Sequence, residues 1–152
     1  HLSVSGFGLV GSAVRDGHRR IIVLNGLENE TARKTEAPRV MRSAFLDFTA
    51  AKLVSKGAEV AVADVWLGEA EKVSLVSTED YSIGLHLDAV DKVKGEVVYK
   101  GPLAAPVKEG DIVGELVITA PGTAPKKIPV AAAKSVNQLG IIGKAMAGLK
   151  GE

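Results

Sequence analysis

Apolar residues recur at every second place from residue 58 onward, and this alternation limits the fold more than any other feature of the chain. It is cleanest over residues 81–88, where Tyr81, Ile83 and Leu85 alternate with polar or small residues. Because successive side chains of a strand point to opposite faces, the pattern predicts strands with one buried face. Further strands are predicted at residues 61–67, 72–76, 94–100, 112–119 and 127–133. Short strands at this spacing predict a small all-β sandwich or barrel over residues 58–134.

The first 27 residues have the pattern of a β-hairpin. An apolar run from Phe7 to Val14 is followed by a second run at residues 21–24, and Asp16-Gly17 between them is a strong turn signal. The second run is nearly continuous in β-branched and aliphatic residues. Such a run is typical of a strand that is covered on both faces.

Residues 28–53 change to helical spacing. One apolar stripe is formed by Ala37, Val40, Met41, Ala44, Phe45 and Phe48. Two N-caps compete: Thr35 would place Pro38 in the first turn, whereas Thr31 would place it deeper, where it strains the helix. Lys56-Gly57 is the predicted end. A hairpin and one helix bury too little apolar surface to fold alone, so residues 1–55 are predicted to be an incomplete domain.

The last segment, residues 135–152, is predicted to be a short amphipathic helix. Its apolar face is spaced three, four and three residues apart: Leu139, Ile142, Met146 and Leu149. Each of its glycines costs a helix about 1 kcal/mol relative to alanine. The stripe has two interpretations. It packs on this or a neighbouring domain, or it lies in a bilayer interface with Lys144 and Lys150 near the headgroups.

Charge and composition exclude several function classes. The 19 Lys and Arg residues balance 18 Asp and Glu residues and are dispersed, so no basic surface for nucleic acid is expected. Cysteine is absent, which excludes disulfides, thiol nucleophiles and cysteine metal sites. The three histidines are not spaced as metal ligands. No metal or cofactor is therefore predicted. Neither Ser-x-x-Lys nor Gly-x-Ser-x-Gly occurs, so no catalytic residue is predicted in this chain.

Two residues have competing interpretations. Arg33 is either a partner in a surface ion pair with Glu36, three residues on, or a clamp for a carboxylate, whose geometry its planar guanidinium matches. Trp66, the only tryptophan, is predicted to pack in the core or between domains rather than to serve as a platform for a ligand.

Four short patterns, taken in order, resemble one enzyme family. They are Gly6-Phe7-Gly8-Leu9-Val10-Gly11-Ser12-Ala13, Arg33, Val65-Trp66-Leu67-Gly68 and Ala105-Pro106-Val107-Lys108-Glu109-Gly110. Their order and spacing resemble the C-terminal half of the low-molecular-mass penicillin-binding proteins, the serine-type D-Ala-D-Ala carboxypeptidases. The resemblance begins just after the Lys-Thr-Gly motif of that family, so His1 stands where the next residue would be.

The resemblance implies an α+β fragment in three parts. Residues 1–55 would be the C-terminal β-hairpin and helix of a serine-transpeptidase-like catalytic domain. Residues 58–134 would be a small all-β sandwich domain, and residues 135–152 a C-terminal amphipathic helix. The Ser-x-x-Lys, Ser-x-Asn and Lys-Thr-Gly motifs of the family have no counterpart here, so the chain alone is expected to be inactive.

The resemblance also implies a function for the parent protein. It would trim the terminal D-Ala from peptidoglycan stem peptides by serine acyl transfer in the periplasm, and it would bind β-lactams at the same site. Arg33 and His1 would contact substrate at the cleft rim. The missing N-terminal catalytic portion would be a partner, and the face that includes Leu139 would make a peripheral inner-membrane contact. The alternative is a non-enzymatic β-domain that serves the cell envelope as a spacer or a protein-interaction module.

Overall fold

The structure, a computed structural model, describes residues 6–140. The chain divides into two compact units. The first comprises the chain up to Ala50 together with Gly84–Asp88, and the second comprises Ala51–Ile83 and the chain from Ala89 onward. Strands make up most of the secondary structure, in agreement with the alternation of the sequence.

The first unit begins with an antiparallel hairpin. Strands β1 (Phe7–Arg15) and β2 (His18–Leu27) are joined by Asp16 and Gly17, with φ angles of 50° and 76°. A two-residue turn with both central residues in the left-handed region matches the right-handed twist of the flanking strands. Glycine adopts this conformation without a steric penalty, and aspartate tolerates it better than most residues.

Helix α1 (Glu30–Leu46) follows the hairpin, and its N-cap is Asn29. The Asn29 Oδ1 atom accepts a hydrogen bond from the Ala32 N–H at 2.8 Å. Both predicted caps are therefore wrong. Asn ranks above Thr as an N-cap, and the Thr35 hydroxyl instead donates to the Thr31 carbonyl within the helix. The earlier start places Pro38 inside the helix.

The predicted extension of the helix to residue 53 is also wrong. The helix ends at Leu46, with Asp47 as its C-cap, and residues Phe48–Val54 form strand β3, which pairs with β6 (Tyr81–His86). Burial alternates along β3 in the manner of a strand. The apolar stripe of the helix and the inward side of β3 both include aromatic or aliphatic residues, so periodicity alone did not separate them.

The second unit is built on a six-stranded sheet in the order β7-β9-β10-β5-β4-β8. Its strands are β4 (Glu59–Trp66), β5 (Lys72–Ser77), β7 (Lys94–Tyr99), β8 (Leu103–Ala104), β9 (Ile112–Thr119) and β10 (Lys126–Ala132). Neighbouring strands are antiparallel except β4 and β8, which are parallel. A short 3-10 helix, Leu87–Lys92, precedes β7.

The core of the second unit lies on one face of this sheet. Leu75, Ile128 and Val130 are fully buried there, from the adjacent strands β5 and β10. Ser77, the one polar residue among the buried set of the described chain, donates its hydroxyl hydrogen to the Glu79 carbonyl at 2.8 Å. A buried polar group must be hydrogen-bonded to be tolerated, and this contact satisfies it.

The predicted helix at residues 135–152 is wrong over its first six residues. Val136 and Gln138 form isolated antiparallel bridges to Val107 and Gly68, so this stretch is extended. Its main-chain groups bond to residues far away in the sequence, such as Leu67 and Val107, rather than within a helical turn, because tertiary pairing satisfies them first. The remainder of the predicted helix lies outside the described residues.

Candidate functional site

Arg33 lies in the first turn of α1. Its guanidinium contacts the Glu30 carboxylate, with Nη2 and Oε1 3.6 Å apart, and its Cζ lies 6.0 Å from the centre of the Phe7 ring. Lys34 shares Glu30 at 3.1 Å. An acidic residue in the first turn is favourable because it faces the positive end of the helix dipole. Arg33 and Lys34 share the single carboxylate of Glu30, and the Arg33 side chain is 36% exposed. The guanidinium of Arg33 therefore retains N–H donors for a further anion.

The predicted ion pair between Arg33 and Glu36 is wrong. Glu36 instead accepts a hydrogen bond from Arg39 Nε at 2.7 Å. Arg33 and Arg39 both lie three residues from Glu36, so the i,i+3 spacing allows either of them as its partner. Glu36 pairs with Arg39, which follows it in the helix. Arg33 therefore turns towards the N-terminal end of the helix and the start of β1.

One face of the hairpin exposes a set of large apolar side chains. They are Val10 at 71%, Val14 at 57%, Ile21 at 65% and Val23 at 71%. The register pairs Val10 with Val23 and Ser12 with Ile21, so these side chains share one surface. Arg19 extends over it and donates to the Ser12 hydroxyl at 2.8 Å. A contiguous apolar face of this kind marks an interaction surface.

Helix α1 covers the opposite face of the hairpin, where Ile22 is buried and Gly11 lies near the Met41 side chain. Within residues 6–140, residues 21–24 are covered on one face only, so cover of the second face stays a prediction. Within residues 6–140 the hairpin also pairs with no further strand, so both of its outer edges retain main-chain groups for pairing.

The other predicted site residues are placed as follows. Leu139 is half-buried, and its N–H donates to the Leu67 carbonyl at 2.8 Å. His1, Ile142, Met146 and Leu149 lie outside the described residues. Trp66 is 62% exposed, so it does not lie in the core of the second unit, and its packing between domains stays a prediction.

The pKa of Asp80 is lowered, chiefly by the hydrogen bond from the Lys52 side chain, and further by the Lys56 N–H. A lowered carboxyl pKa stabilises the fold at pH values above the pKa of the unfolded state, and this contribution is lost as the pH falls through the pKa of the folded state.

Among residues 6–140 no group of three or more His, Asp or Glu side chains could hold a metal ion. No helix in that range has the length and hydropathy that crossing a bilayer requires.

Two cavities were not predicted from the sequence. The second unit has an apolar cleft of about 500 Å³ between β3, β4, β7 and β9. The first unit has a pocket of about 320 Å³, lined by Arg15, Asp16, His18, Arg20, Phe45, Leu46, Phe48, Thr49 and Ala50. The sequence does contain a signal for the pocket of the first unit. Arg15 and His18 pair across the turn, and Arg20 lies two residues after His18, so the three side chains share one face of the hairpin.

Residues 48–138 match the protein family described as penicillin-binding protein 5, C-terminal domain. Among curated proteins, the chain is 30% identical over 118 residues to D-alanyl-D-alanine carboxypeptidase DacD of Escherichia coli, covering 76% of this chain. It is 27% identical over 135 residues to carboxypeptidase DacF of Bacillus subtilis, covering 88% of this chain. The chain spans 30% and 35% of the length of these two relatives.

Solved structures with the same fold include two from this group. The chain is similar to D-alanyl-D-alanine carboxypeptidase DacD of Francisella tularensis, with a TM-score of 0.66 and 28% identity over 91% of this chain and 35% of that one. It is also similar to penicillin binding protein 5 of Haemophilus influenzae, with a TM-score of 0.60 and 25% identity over 91% of this chain and 41% of that one.

Proposed function

The chain belongs to the penicillin-binding protein 5 C-terminal domain family, and on that premise we propose that it is the C-terminal portion of a serine-type D-Ala-D-Ala carboxypeptidase. The parent protein removes the terminal D-Ala from peptidoglycan stem peptides in the periplasm and is acylated there by β-lactams. The names of the matched relatives support this activity. The residues of the acyl transfer, a serine nucleophile with a lysine as base, lie in the preceding portion of the parent.

The exposed face of the hairpin is the observation that carries the proposal. A strand pair alone is marginally stable, and an exposed surface of four valine and isoleucine side chains is unfavourable in water. A catalytic portion that packs on Val10, Ile21 and Val23 removes this surface from water. The open edges of β1 and β2 allow the same portion to continue the sheet.

Arg33 contributes to substrate binding in this proposal. Its guanidinium lies beside Phe7, at the start of the strand that would adjoin the Lys-Thr-Gly strand of the parent. The terminal carboxylate of the stem peptide is a planar anion that accepts two parallel hydrogen bonds from such a group. The contact with Glu30 is long enough, at 3.6 Å, for Arg33 to turn to the substrate without losing a strong bond. His1 would lie at the same rim.

The second unit acts as a spacer in this proposal. It buries its own core around Leu75 and Ile128, so it is able to serve as a folded spacer between the catalytic portion and the inner membrane. Ile142, Met146 and Leu149 would supply the peripheral membrane contact beyond it. This arrangement keeps the active site close to the peptidoglycan that it trims.

The proposal is tested by release of D-alanine from a peptide that ends in D-Ala-D-Ala. We expect the full-length parent to release it and the chain of residues 1–152 to release none, because the nucleophile is elsewhere. A peptide ending in D-Ala-L-Ala is the matched control. A full-length protein without activity, whose sequence lacks Lys-Thr-Gly directly before His1, would instead support the non-enzymatic module.

A further inference from the structure

The hairpin of the first unit extends beyond the end of α1. On the face that packs against the helix, Ile22 is buried, and the next cross-strand pairs towards the turn are Ala13–Arg20 and Arg15–His18. Side chains of a cross-strand pair project from the same face, so Arg15, His18 and Arg20 follow Ile22 along one surface. Cationic and imidazole groups therefore replace apolar ones where the helix ends. We call the pocket of about 320 Å³ at this place the turn pocket.

Arg20 is held in a fixed orientation at the inner wall of the turn pocket. Its Nε donates to the Ala44 carbonyl at 3.0 Å, and its Cζ lies 5.8 Å from the centre of the Phe45 ring. Nη2 also lies 3.5 Å from the Phe48 carbonyl oxygen. A guanidinium has five N–H donors, so donors remain for an anion in the pocket. Because its orientation is already fixed, binding an anion would order little additional side-chain freedom.

Two cations and one carboxylate line the turn pocket: Arg15, Arg20 and Asp16. The pocket also faces the C-terminal end of α1, which is the negative end of the helix dipole, and the Arg20 guanidinium offsets that end by donating to the Ala44 carbonyl. The Arg15–Asp16 pair is 3.6 Å long and mostly exposed, with side-chain exposures of 62% and 87%. Such a pair contributes little, so Arg15 is able to exchange it for a ligand anion. The neighbouring carboxylate of Asp47 is engaged by the Ser43 hydroxyl.

Most of the turn pocket is polar, and Thr49 adds a hydroxyl to it. A smaller apolar part is lined by Phe45, Leu46 and Phe48, of which the last two are exposed large hydrophobic residues. Convergent polar groups beside an apolar wall, in a cavity of this size, are the arrangement typical of small-molecule sites. Inorganic anions alone would leave the apolar wall in contact with water.

We propose that the turn pocket binds a small organic anion, in which a carboxylate or a phosphate is attached to an apolar ring or chain. The anionic group contacts Arg15 and the free donors of Arg20, and the apolar part packs on Phe45, Leu46 and Phe48. This site is separate from the carboxypeptidase activity proposed for the parent, because that activity uses the opposite end of α1.

The test uses the isotope-labelled chain of residues 1–152, in which dispersed amide signals for residues 7–50 first establish that the first unit is folded, and follows those signals in NMR titrations. The probes are phenylacetate, phenyl phosphate, the neutral isostere phenylacetamide, and inorganic phosphate. We expect either organic anion to shift the signals of residues 15–20 and 45–50, with affinity at least tenfold above that of phenylacetamide and of inorganic phosphate. Tighter binding of phenyl phosphate would identify phosphate esters as the preferred class, and the reverse would identify carboxylates.

The variant that tests the site is Arg15→Gln, because Arg15 makes no contact that the fold depends on. It should weaken binding of the preferred anion at least tenfold. Arg39→Gln, on the same unit but paired with Glu36 outside the pocket, is the matched control and should leave the affinity unchanged. Equal affinity for the anion and its neutral isostere, shifts elsewhere in the chain, or unchanged binding by Arg15→Gln would overturn the proposal. So would the absence of any shift.

Discussion

Replacing Val23 with aspartate is expected to destabilise the full-length parent by about 3 kcal/mol or more and to abolish its labelling by fluorescent penicillin at growth temperature. The reason is that Val23 would be buried against the catalytic portion, where an unpaired carboxylate has no partner. In the chain of residues 1–152, Val23 is 71% exposed, and the same change should alter the free energy of unfolding by about 1 kcal/mol at most. Urea unfolding of both proteins measures the difference.

Val98→Asp is the matched control for this experiment. Val98 is 54% exposed on strand β7 of the second unit, so the substitution carries the same change of charge and strand propensity. It should cost little in either protein. If Val23→Asp is equally mild in both proteins, the hairpin face stays in water in the parent as well. The exposed face would then no longer support the carboxypeptidase assignment.

The second large effect is expected for Arg33→Ala in the full-length parent. Loss of a charged hydrogen bond to the substrate carboxylate, worth about 1.5–3 kcal/mol, should lower kcat/KM for D-Ala release by roughly 10- to 100-fold. Stability should change little, because the Arg33–Glu30 pair is long and partly exposed. Steady-state kinetics and thermal unfolding on the same samples separate the two effects.

Arg39→Ala controls for loss of a cation from the same helix. Its guanidinium pairs with Glu36 and is largely exposed, so kcat/KM should stay within twofold of the unmodified parent, a limit of roughly 0.4 kcal/mol. Arg33→Lys should restore only part of the lost activity, since an ammonium group cannot make the two parallel bonds of a guanidinium. An unchanged kcat/KM for Arg33→Ala would reduce Arg33 to a partner in a surface ion pair.

Strand positions were the part of the fold most accessible from the sequence. The alternation predicted residues 112–119, and β9 is Ile112–Thr119. A two-residue period identifies a strand because half of its side chains must enter the core. The order of the six strands was not predicted, since it depends on pairings between residues far apart in the chain.

The ends of the helices and the contact partners of individual side chains were harder to predict from the sequence. Pro38 suggests a helix that begins close to it, because proline is best tolerated in the first turn. The helix tolerates Pro38 in its interior and begins earlier, with Asn29 as its N-cap. No helix begins at residue 135, because the pairing of Val136 and Gln138 with Val107 and Gly68 outweighs a helical stripe that contains several glycines. The partner of Arg33, Glu30, was not predicted because it depends on where the helix begins.

The turn pocket shows why a site of this kind is difficult to predict. Arg15, His18 and Arg20 are ordinary residues of a charged turn in the sequence. Their common face follows from the hairpin register, but the pocket exists only because α1 ends at Leu46 and leaves that face uncovered. The sequence placed the end of the helix near residue 56, which would have filled this space.

Hydrogen exchange of the hairpin amides, followed by mass spectrometry on a peptide covering residues 7–27, tests the central claim most directly. We expect the outward-facing amides of β1 and β2 to exchange rapidly in the chain of residues 1–152 and to be protected at least 100-fold in the full-length parent. Such protection would show that a preceding portion completes the sheet. Equal exchange in the two proteins would contradict the account, because the hairpin would then stand alone in the parent as well.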